Sequence, residues 1–396
     1  MITVKEAEQI ILSQSMYLGT EKVPLSDATG RILNQEMVAD RDFPPYDRVT
    51  MDGIAILHDP YANGRRDFRI AGTGAAGAPR MTLSDQDSCI EIMTGAIIPA
   101  GTDTVIRYED IEIVDGVARI LDEHVNRGKN IHRQGTDKAK GEVLVNAGKK
   151  ITAAEIGIAA TVGLPELQVL CDPKICLVST GDELVPVDEE PMSHQIRSSN
   201  VHSIASALRS AGYACDLAHL PDDKEHIKEQ LSTILEEYDV IVLSGGVSKG
   251  KFDFIPDALT ELGVTKRFHK VKQRPGKPFW FGTMDDTAFV FALPGNPVSC
   301  LMGTVRYLIP WIRHSQGLPR LEMYAQLTQD VTFKPDLMYM LHGHTSCRPD
   351  GVTEFNPVHG HGSGDLASLT MSNGFIELPR GKEVFQAGEV YRWWAW

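Results

Sequence analysis

Two short stretches near the middle of the chain are almost continuously apolar and end in turn residues: YDVIVL (238 to 243) and AFVFAL (288 to 293). An unbroken apolar run of this length is typical of a strand buried on both faces of a parallel sheet. Three loops rich in glycine and proline are interpreted as following apolar runs: SGGVSKGKFDF (244 to 254), QRPGKP (273 to 278) and LPGNPVS (293 to 299). Open α/β sheets bind ligands where such loops leave the strands, so this edge is the predicted binding site.

From residue 174 to residue 320, strand-like segments alternate with segments of helical length and spacing. This alternation predicts βαβ crossovers and a doubly wound, three-layer α/β/α domain. Asn200, and either Asp222 or Asp223, are the predicted N-caps of two of its helices.

The rest of the chain predicts an α/β multidomain protein. Residues 3 to 17 have helical spacing with a capping box from Thr3 to Glu6, and residues 152 to 163 predict a second helix. Short β segments between them indicate an inserted β domain. The predicted domains are an elongated helical and linker domain (1–45 with 143–173), the inserted β domain (46–142), the α/β/α domain (174–320) and a C-terminal β-barrel-like domain (321–396).

Charge is distributed unevenly along this acidic chain, whose formal net charge is −14. Between residues 249 and 277, eight lysines and arginines stand against three acidic residues. Cations beside glycine amides favour a small anionic ligand, and the absence of a broad basic stretch argues against nucleic acid. The alternative is an ordinary solvated charge run.

Other features of the sequence bear on location and redox chemistry. The N-terminus lacks the pattern of a secretion signal, and no apolar run approaches a membrane span, so we expect a cytoplasmic protein without a membrane partner. The six cysteines contain no C-x-x-C pair, which indicates free thiols.

Several acidic residues could bind a cation. Asp182 and Glu183 follow a predicted strand at the same edge as the basic loops, which suits a metal-assisted phosphate site or a plain salt-bridge network. Asp52 could face a ligand or bond its own backbone in a turn. The carboxylates in loops near Thr94 and Asp137 leave both interpretations open. The pairs His342/His344 and His359/His361 have strand spacing that permits metal ligation, although no further ligand completes a set.

Several strings, taken in order, resemble the molybdopterin molybdenumtransferase family, called MoeA in bacteria and represented in animals by the E domain of gephyrin. They are PPYDRVTMDGIA, MTGAIIPAGTDTVIRYED, GTDKAKGEVLVNAG, STGDELV, IRSSN, SGGVSKGKFDF, RPGKP and LPGNPVS. The resemblance implies the four domains above and a homodimer. In that dimer the active site lies between the α/β domain of one subunit and the β insertion of the other.

The resemblance also implies a reaction: molybdate is inserted into adenylylated molybdopterin with Mg²⁺-dependent release of AMP. The implied catalytic residues are Asp52, Glu183, Asp253 and Lys277, and the implied Mg²⁺ ligands are Glu183, Asp222 and Asp253. The implied substrate-binding residues are Thr94, Asp137, Ser244, Gly245, Gly246, Ser248, Arg274, Pro294, Pro297 and Ser363. Implied partners are a molybdopterin adenylyltransferase and apo-molybdoenzymes or their chaperones.

The chain departs from the family pattern at three places. Position 274 is arginine where lysine is usual, the glycine loop carries extra Lys249 and Lys251, and residues 336 to 344 lack the usual arginine. The missing arginine raises the alternative of a paralogue that handles tungstate or another oxyanion. A scaffold without turnover, as in gephyrin, is a third hypothesis.

Overall fold

The structure is a computed structural model that describes residues 1–246, 254–285 and 287–396. Up to residue 170, the helices are α1 (Val4–Leu12), α2 (His58–Ala62) and α3 (Ala153–Thr161). The strands of this part are β1 (Thr20–Pro24), β2 (Met37–Val38), β3 (Arg48–Val49), β4 (Gly53–Ile56), β5 (Asp67–Gly74), β6 (Ser88–Ile92), β7 (Thr104–Arg107), β8 (Ile111–Val114), β9 (Val117–Ile120), β10 (Ile131–His132), β11 (Val143–Val145) and β12 (Glu166–Leu170).

The following part contains the central sheet and its helices. Its strands are β13 (Ile175–Thr180), β14 (Leu184–Val185), β15 (Ile196–Arg197), β16 (Asp216–Leu220), β17 (Val240–Ser244), β18 (Thr265–His269), β19 (Gln273–Arg274), β20 (Trp280–Met284) and β21 (Ala288–Leu293). Its helices are α4 (Asn200–Ala211), α5 (Lys224–Glu237), α6 (Ile255–Glu261), α7 (Pro297–Gly303) and α8 (Ile309–Ser315), with a π-helical turn (Thr304–Leu308) between the last two.

The C-terminal part is mostly β structure. Its strands are β22 (Met323–Leu327), β23 (Val331–Thr332), β24 (Met338–Cys347), β25 (Thr353–Pro357), β26 (Gly374–Leu378), β27 (Val384–Phe385) and β28 (Val390–Ala395), and its helix is α9 (Leu366–Leu369). Strands β24, β25, β22, β28 and β26 pair in that order, and β26 pairs back onto β24. The sheet therefore closes into the predicted barrel.

The chain forms two compact units. The large unit comprises residues 1–22, 30–34 and 168–396, and the small unit comprises residues 23–29 and 35–167. The small unit contains the six-stranded sheet β7-β4-β6-β5-β9-β8, and within it β2 pairs with β11. Helix α1, whose capping box is present as predicted, contributes Val4, Ala7 and Ile11 to a core of the large unit. The finer division into four domains stays a prediction.

The central sheet of the large unit has the strand order β16-β13-β17-β21-β20-β18. Strands β13, β17 and β21 are buried along their whole length because α4 and α7 cover one face while α5 and α6 cover the other. This confirms both apolar runs as buried strands and confirms the three-layer domain. Strands β18 and β20, however, run antiparallel to their neighbours, so the sheet is mixed.

Arg306, in the π-helical turn, joins three parts of the large unit. Its side chain is 3% exposed and makes ion pairs with Glu8 of α1 at 2.9 Å and Glu377 of β26 at 3.1 Å. Its guanidinium carbon also lies 4.5 Å from the ring centre of Trp394 in β28, and the indole N–H of Trp394 donates to Glu377. One buried cation thus fixes the first helix and the barrel against the helices of the sheet. No helix in the described ranges has the length and apolar character needed to cross a membrane.

We predict that Arg306→Ala lowers the free energy of unfolding of the large unit by about 3–5 kcal/mol, because Glu377, whose side chain is 10% exposed, loses its ion-pair partner. Glu8 loses its most buried partner and keeps Arg320 and Arg392. All five tryptophans belong to the large unit, so tryptophan fluorescence during denaturation reports on it. Arg348→Ala is the control, since Arg348 makes only exposed barrel ion pairs, worth at most about 1 kcal/mol. Equal losses in the two variants would contradict a central role for Arg306.

Candidate active site

The parallel strands of the large unit end together at one edge of the sheet. Ser179 of β13 lies opposite Ser244 of β17, and Ser244 lies opposite Leu293 of β21. The turns STGDELV, SGG and LPGNP therefore begin side by side. This is the edge at which open α/β sheets bind ligands.

The loop RPGKP reaches the same edge by a different route from the one predicted. It does not follow a parallel strand but precedes β20, which runs antiparallel to β21 and pairs Trp280 with Ala292. The residues before Trp280 therefore lie beside the end of β21. The loop is also attached to the barrel, because β19 pairs with β24 and places Arg274 opposite Tyr339.

A cavity of about 300 Å³, which we call the hydroxyl cavity, opens at the ends of β13 and β17. Six of the predicted site residues line it: Glu183, Asp222, Ser244, Gly245, Gly246 and Pro297. The prediction missed another group of polar residues in its wall: Ser179, Thr180, Arg197, Ser198, Ser199 and Asn200. The string IRSSN contains four of these, but no ligand-binding role was predicted for them.

The glycine turn after β17 requires glycine at two positions. Gly245 and Gly246 have φ angles of +105° and +65°, which L side chains rarely adopt. A Cβ at Gly245 would lie 2.8 Å from the hydroxyl oxygen of Thr180, and one at Gly246 would lie 2.7 Å from Ile255. The backbone thus comes close to the cavity wall. The N–H of Gly245 donates to the carbonyl oxygen of Leu293, whereas the N–H of Gly246 can approach an anionic ligand.

A second cavity of about 460 Å³, which we call the cationic cavity, lies beside the first. Four predicted site residues line it: Arg274, Lys277, Pro294 and Ser363. The two cations are exposed, and neither makes an ion pair with any residue that the structure describes. Gly295 lines both cavities, so the two sites are neighbours.

The structure decides between the predicted N-caps of α4 and α5. Asp223, not Asp222, caps α5 by accepting the backbone N–H of His226. The prediction that Asn200 is an N-cap is wrong, because Ser199 occupies that position and the side chain of Asn200 bonds elsewhere. Ser248 and Asp253, together with Lys249 and Lys251, lie outside the described residues.

The remaining predicted residues belong to the small unit. Asp52 does not bond its own turn, since its side chain accepts the backbone N–H of Thr94 at 2.6 Å. This hydrogen bond lowers the pKa of Asp52, so the carboxylate stays ionised. Asp137 lies 3.0 Å from the Nε2 atom of His132. The turn at Asp52 and the loop at Thr94 therefore form one exposed polar element of this unit.

The positions of the His, Cys, Asp and Glu side chains determine whether the described residues could hold a metal ion. Within residues 1–246, 254–285 and 287–396, no group of three or more His, Cys, Asp or Glu side chains could hold one. His342 is buried and burial lowers its pKa, whereas His344 is exposed, so the pair does not form a site. Glu183 and Asp222 do line one cavity. Two carboxylates fit Mg²⁺, which commonly takes one or two of them together with substrate phosphate.

Taken together, the fold and the cavities define a multidomain α/β protein with two neighbouring polar cavities at the carboxyl edge of a central sheet. Three family models match the chain: "MoeA N-terminal region (domain I and II)" at residues 2–163, "Probable molybdopterin binding domain" at residues 176–314 and "MoeA C-terminal region (domain IV)" at residues 324–396. A molybdopterin molybdenumtransferase of Synechocystis sp. is 39% identical over 100% of both chains. The chain belongs to the molybdopterin molybdenumtransferase family.

Other relatives agree. A molybdopterin molybdenumtransferase of Haemophilus influenzae is 30% identical over 98% of this chain and 97% of its own. The crystal structure of a molybdopterin biosynthesis MoeA protein from Pyrococcus horikoshii OT3 matches with a TM-score of 0.84 and 25% identity, covering 100% of both chains. These similarities extend over the full length and not over the α/β domain alone.

We predict that Lys277→Ala weakens the binding of molybdate by about tenfold or more, because a charge-assisted contact is lost, while the melting temperature barely changes. Isothermal titration and thermal melting measure the two quantities. Lys266→Ala is the matched control, since Lys266 lies exposed on β18 and lines neither cavity. A parallel loss of affinity and stability in Lys277→Ala would make Lys277 a structural residue.

Proposed function

We propose that this chain acts in molybdenum cofactor biosynthesis by inserting molybdate into adenylylated molybdopterin, with Mg²⁺-dependent release of AMP. The observation that carries the proposal is the pair of cavities joined at Gly295. One is lined by hydroxyls, glycine backbone, two carboxylates and Arg197, and the other by two cations that make no ion pair with a described residue. Membership of the molybdopterin molybdenumtransferase family supplies the identity of the ligands.

Each cavity suits one part of this chemistry. Phosphate oxygens accept hydrogen bonds from the Gly246 amide and from the hydroxyls of Thr180 and Ser244, which line this cavity. Molybdate, a small dianion, suits Arg274 and Lys277, whose N–H donors are charged and lie at a cavity wall. Because Gly295 belongs to both walls, the two ligands bind in contact with one loop.

Glu183 and Asp222 are the described residues that would hold Mg²⁺, and Asp253 is the further candidate from the sequence. The ion would neutralise negative charge that develops on phosphate oxygens as AMP leaves. The chain's own contribution is to place both carboxylates in the wall of the cavity that the glycine turn also lines.

The homodimer of the family is part of the proposal. Asp52, Thr94 and Asp137, in the small unit of one subunit, would complete the cavities in the large unit of its partner. The exposure of the Asp52 turn and of Thr94 is consistent with such a role. A molybdopterin adenylyltransferase would deliver the substrate and apo-molybdoenzymes or their chaperones would receive the product, in the cytoplasm.

One observation favours a preference for tungstate or another oxyanion as a second candidate. Strand β24, which pairs with β19 beside the cationic cavity, has no arginine along Met338–Cys347. Arg274 and Lys277 are then the cations that the described part of this cavity offers. Competition between molybdate and tungstate during cofactor assembly separates the two candidates.

We predict that the wild-type protein releases AMP in a single turnover with Mg²⁺ and molybdate, and that Glu183→Gln slows this release. The loss should be about 100-fold or more, because replacing even an outer partner of a metal site costs on the order of 10- to 100-fold. Glu190→Gln is the control, being the same change at an exposed position outside both cavities. A wild-type protein that releases no AMP would overturn the proposed activity.

The shared site predicts complementation between two impaired variants, Asp52→Asn and Lys277→Ala, assayed at a molybdate concentration too low to saturate Lys277→Ala. In a mixed dimer, one site would carry both defects and the other would be intact. Random exchange of subunits makes half of the dimers mixed, so about one quarter of the wild-type AMP release should return. Release no higher than the average of the two pure variants would place both residues in a site within one subunit.

A further inference from the structure

Asn200, the first residue of α4, connects the glycine turn with the LPGNP loop. These loops meet beside Gly295, the residue that lines both cavities, and we call this place the neck. Its side-chain N–H₂ donates to the hydroxyl oxygen of Ser244 at 2.9 Å and to the carbonyl oxygen of Gly295 at 2.7 Å. Ser244 ends β17, and Gly295 follows β21. One amide group therefore fixes the distance between the glycine turn and the LPGNP loop.

The buried thiol of Cys300 contacts the same two loops as Asn200. The Sγ atom of Cys300 lies 3.3 Å from the hydroxyl of Ser244 and donates to the carbonyl oxygen of Pro294 at 2.8 Å. Burial raises the pKa of Cys300 to about 12, so the thiol keeps its proton. The carbonyls of Pro294 and Gly295 are thus both occupied, and the loop is held at two successive residues.

The side-chain carbonyl oxygen of Asn200 is evidence for a bound ligand. Asn200 lines the hydroxyl cavity, and its Oδ1 atom is buried without a hydrogen-bond partner among residues 1–246, 254–285 and 287–396. A buried carbonyl oxygen without a donor is destabilising, and such groups are usually satisfied in the folded protein. A ligand N–H or O–H in the cavity would supply the missing donor.

We infer that Asn200 is a positioning residue for the reaction: its N–H₂ group sets the width of the neck, and its Oδ1 atom accepts a hydrogen bond from the bound pterin substrate. This inference rests on the proposed function for the identity of that substrate. The neck matters because the phosphate end of the substrate and the oxyanion approach each other across Gly295. Reacting groups must be held close to their productive separation, and small displacements cost much of the rate.

The first test needs no substrate. Amide hydrogen exchange of the free protein compares wild type with Asn200→Ala at residues 245–246 and 295–296. Exchange in Asn200→Ala should be faster by about tenfold in both loops, as expected from the loss of one or two ordinary hydrogen bonds, while the barrel is unchanged. Ser206→Ala is the control on the exposed side of α4 and should exchange like wild type. Unchanged exchange in both loops of Asn200→Ala would overturn the positioning role.

The second test measures single-turnover AMP release and molybdate affinity. Asn200→Ala should release AMP about 100-fold more slowly, the cost of a displacement near 1 Å, with molybdate affinity within a few-fold of wild type. Asn200→Asp keeps an acceptor but loses both donors, so its loops should exchange as fast as those of Asn200→Ala. Wild-type release rates in both variants would overturn the inference. A wild-type protein without AMP release would instead overturn the proposed function, and the exchange result would stand separately.

Discussion

The buried guanidinium of Arg306 is the interaction on which the arrangement of the large unit depends. It neutralises Glu8 and Glu377, which come from the first helix and from the barrel. An unpaired charge at this depth would be strongly destabilising, so all three groups must stay together. The π-helical turn that holds Arg306 continues directly from α7, whose first residue, Pro297, lies in the wall of the hydroxyl cavity. The ion pairs therefore fix the helix that carries one wall of the site.

The site itself combines two electrostatic environments on a chain with a large negative charge. In the cationic cavity, Arg274 and Lys277 are not neutralised by described carboxylates, so they are available to an anion. In the hydroxyl cavity, Glu183 and Asp222 stand beside the glycine turn. A ligand that reaches across Gly295 meets two cations on one side, and two carboxylates with Arg197 on the other.

Much of this arrangement followed from patterns that are local in the sequence. Continuous apolar runs identified β17 and β21 because a strand covered by helices on both faces must be apolar at every position. Thr3 and Glu6 formed the expected cap because both partners lie within one helical turn. The quoted family strings contain eight of the ten predicted residues that line the two cavities, since each string contains the turn chemistry that its loop needs.

The sequence by itself determined the strands, the turns and the family, because these depend on residues close together in the chain. Only the tertiary structure decided which loops meet. RPGKP reaches the site because β20 runs antiparallel, and strand direction has no signature in a short apolar run. Asn200 looked like a helix cap, but its partner Gly295 is 95 residues away. Arg306 makes an ion pair with Glu8, which is 298 residues away in the sequence. Contacts over such long sequence separations depend on how the whole unit packs, and a local sequence pattern does not contain this information.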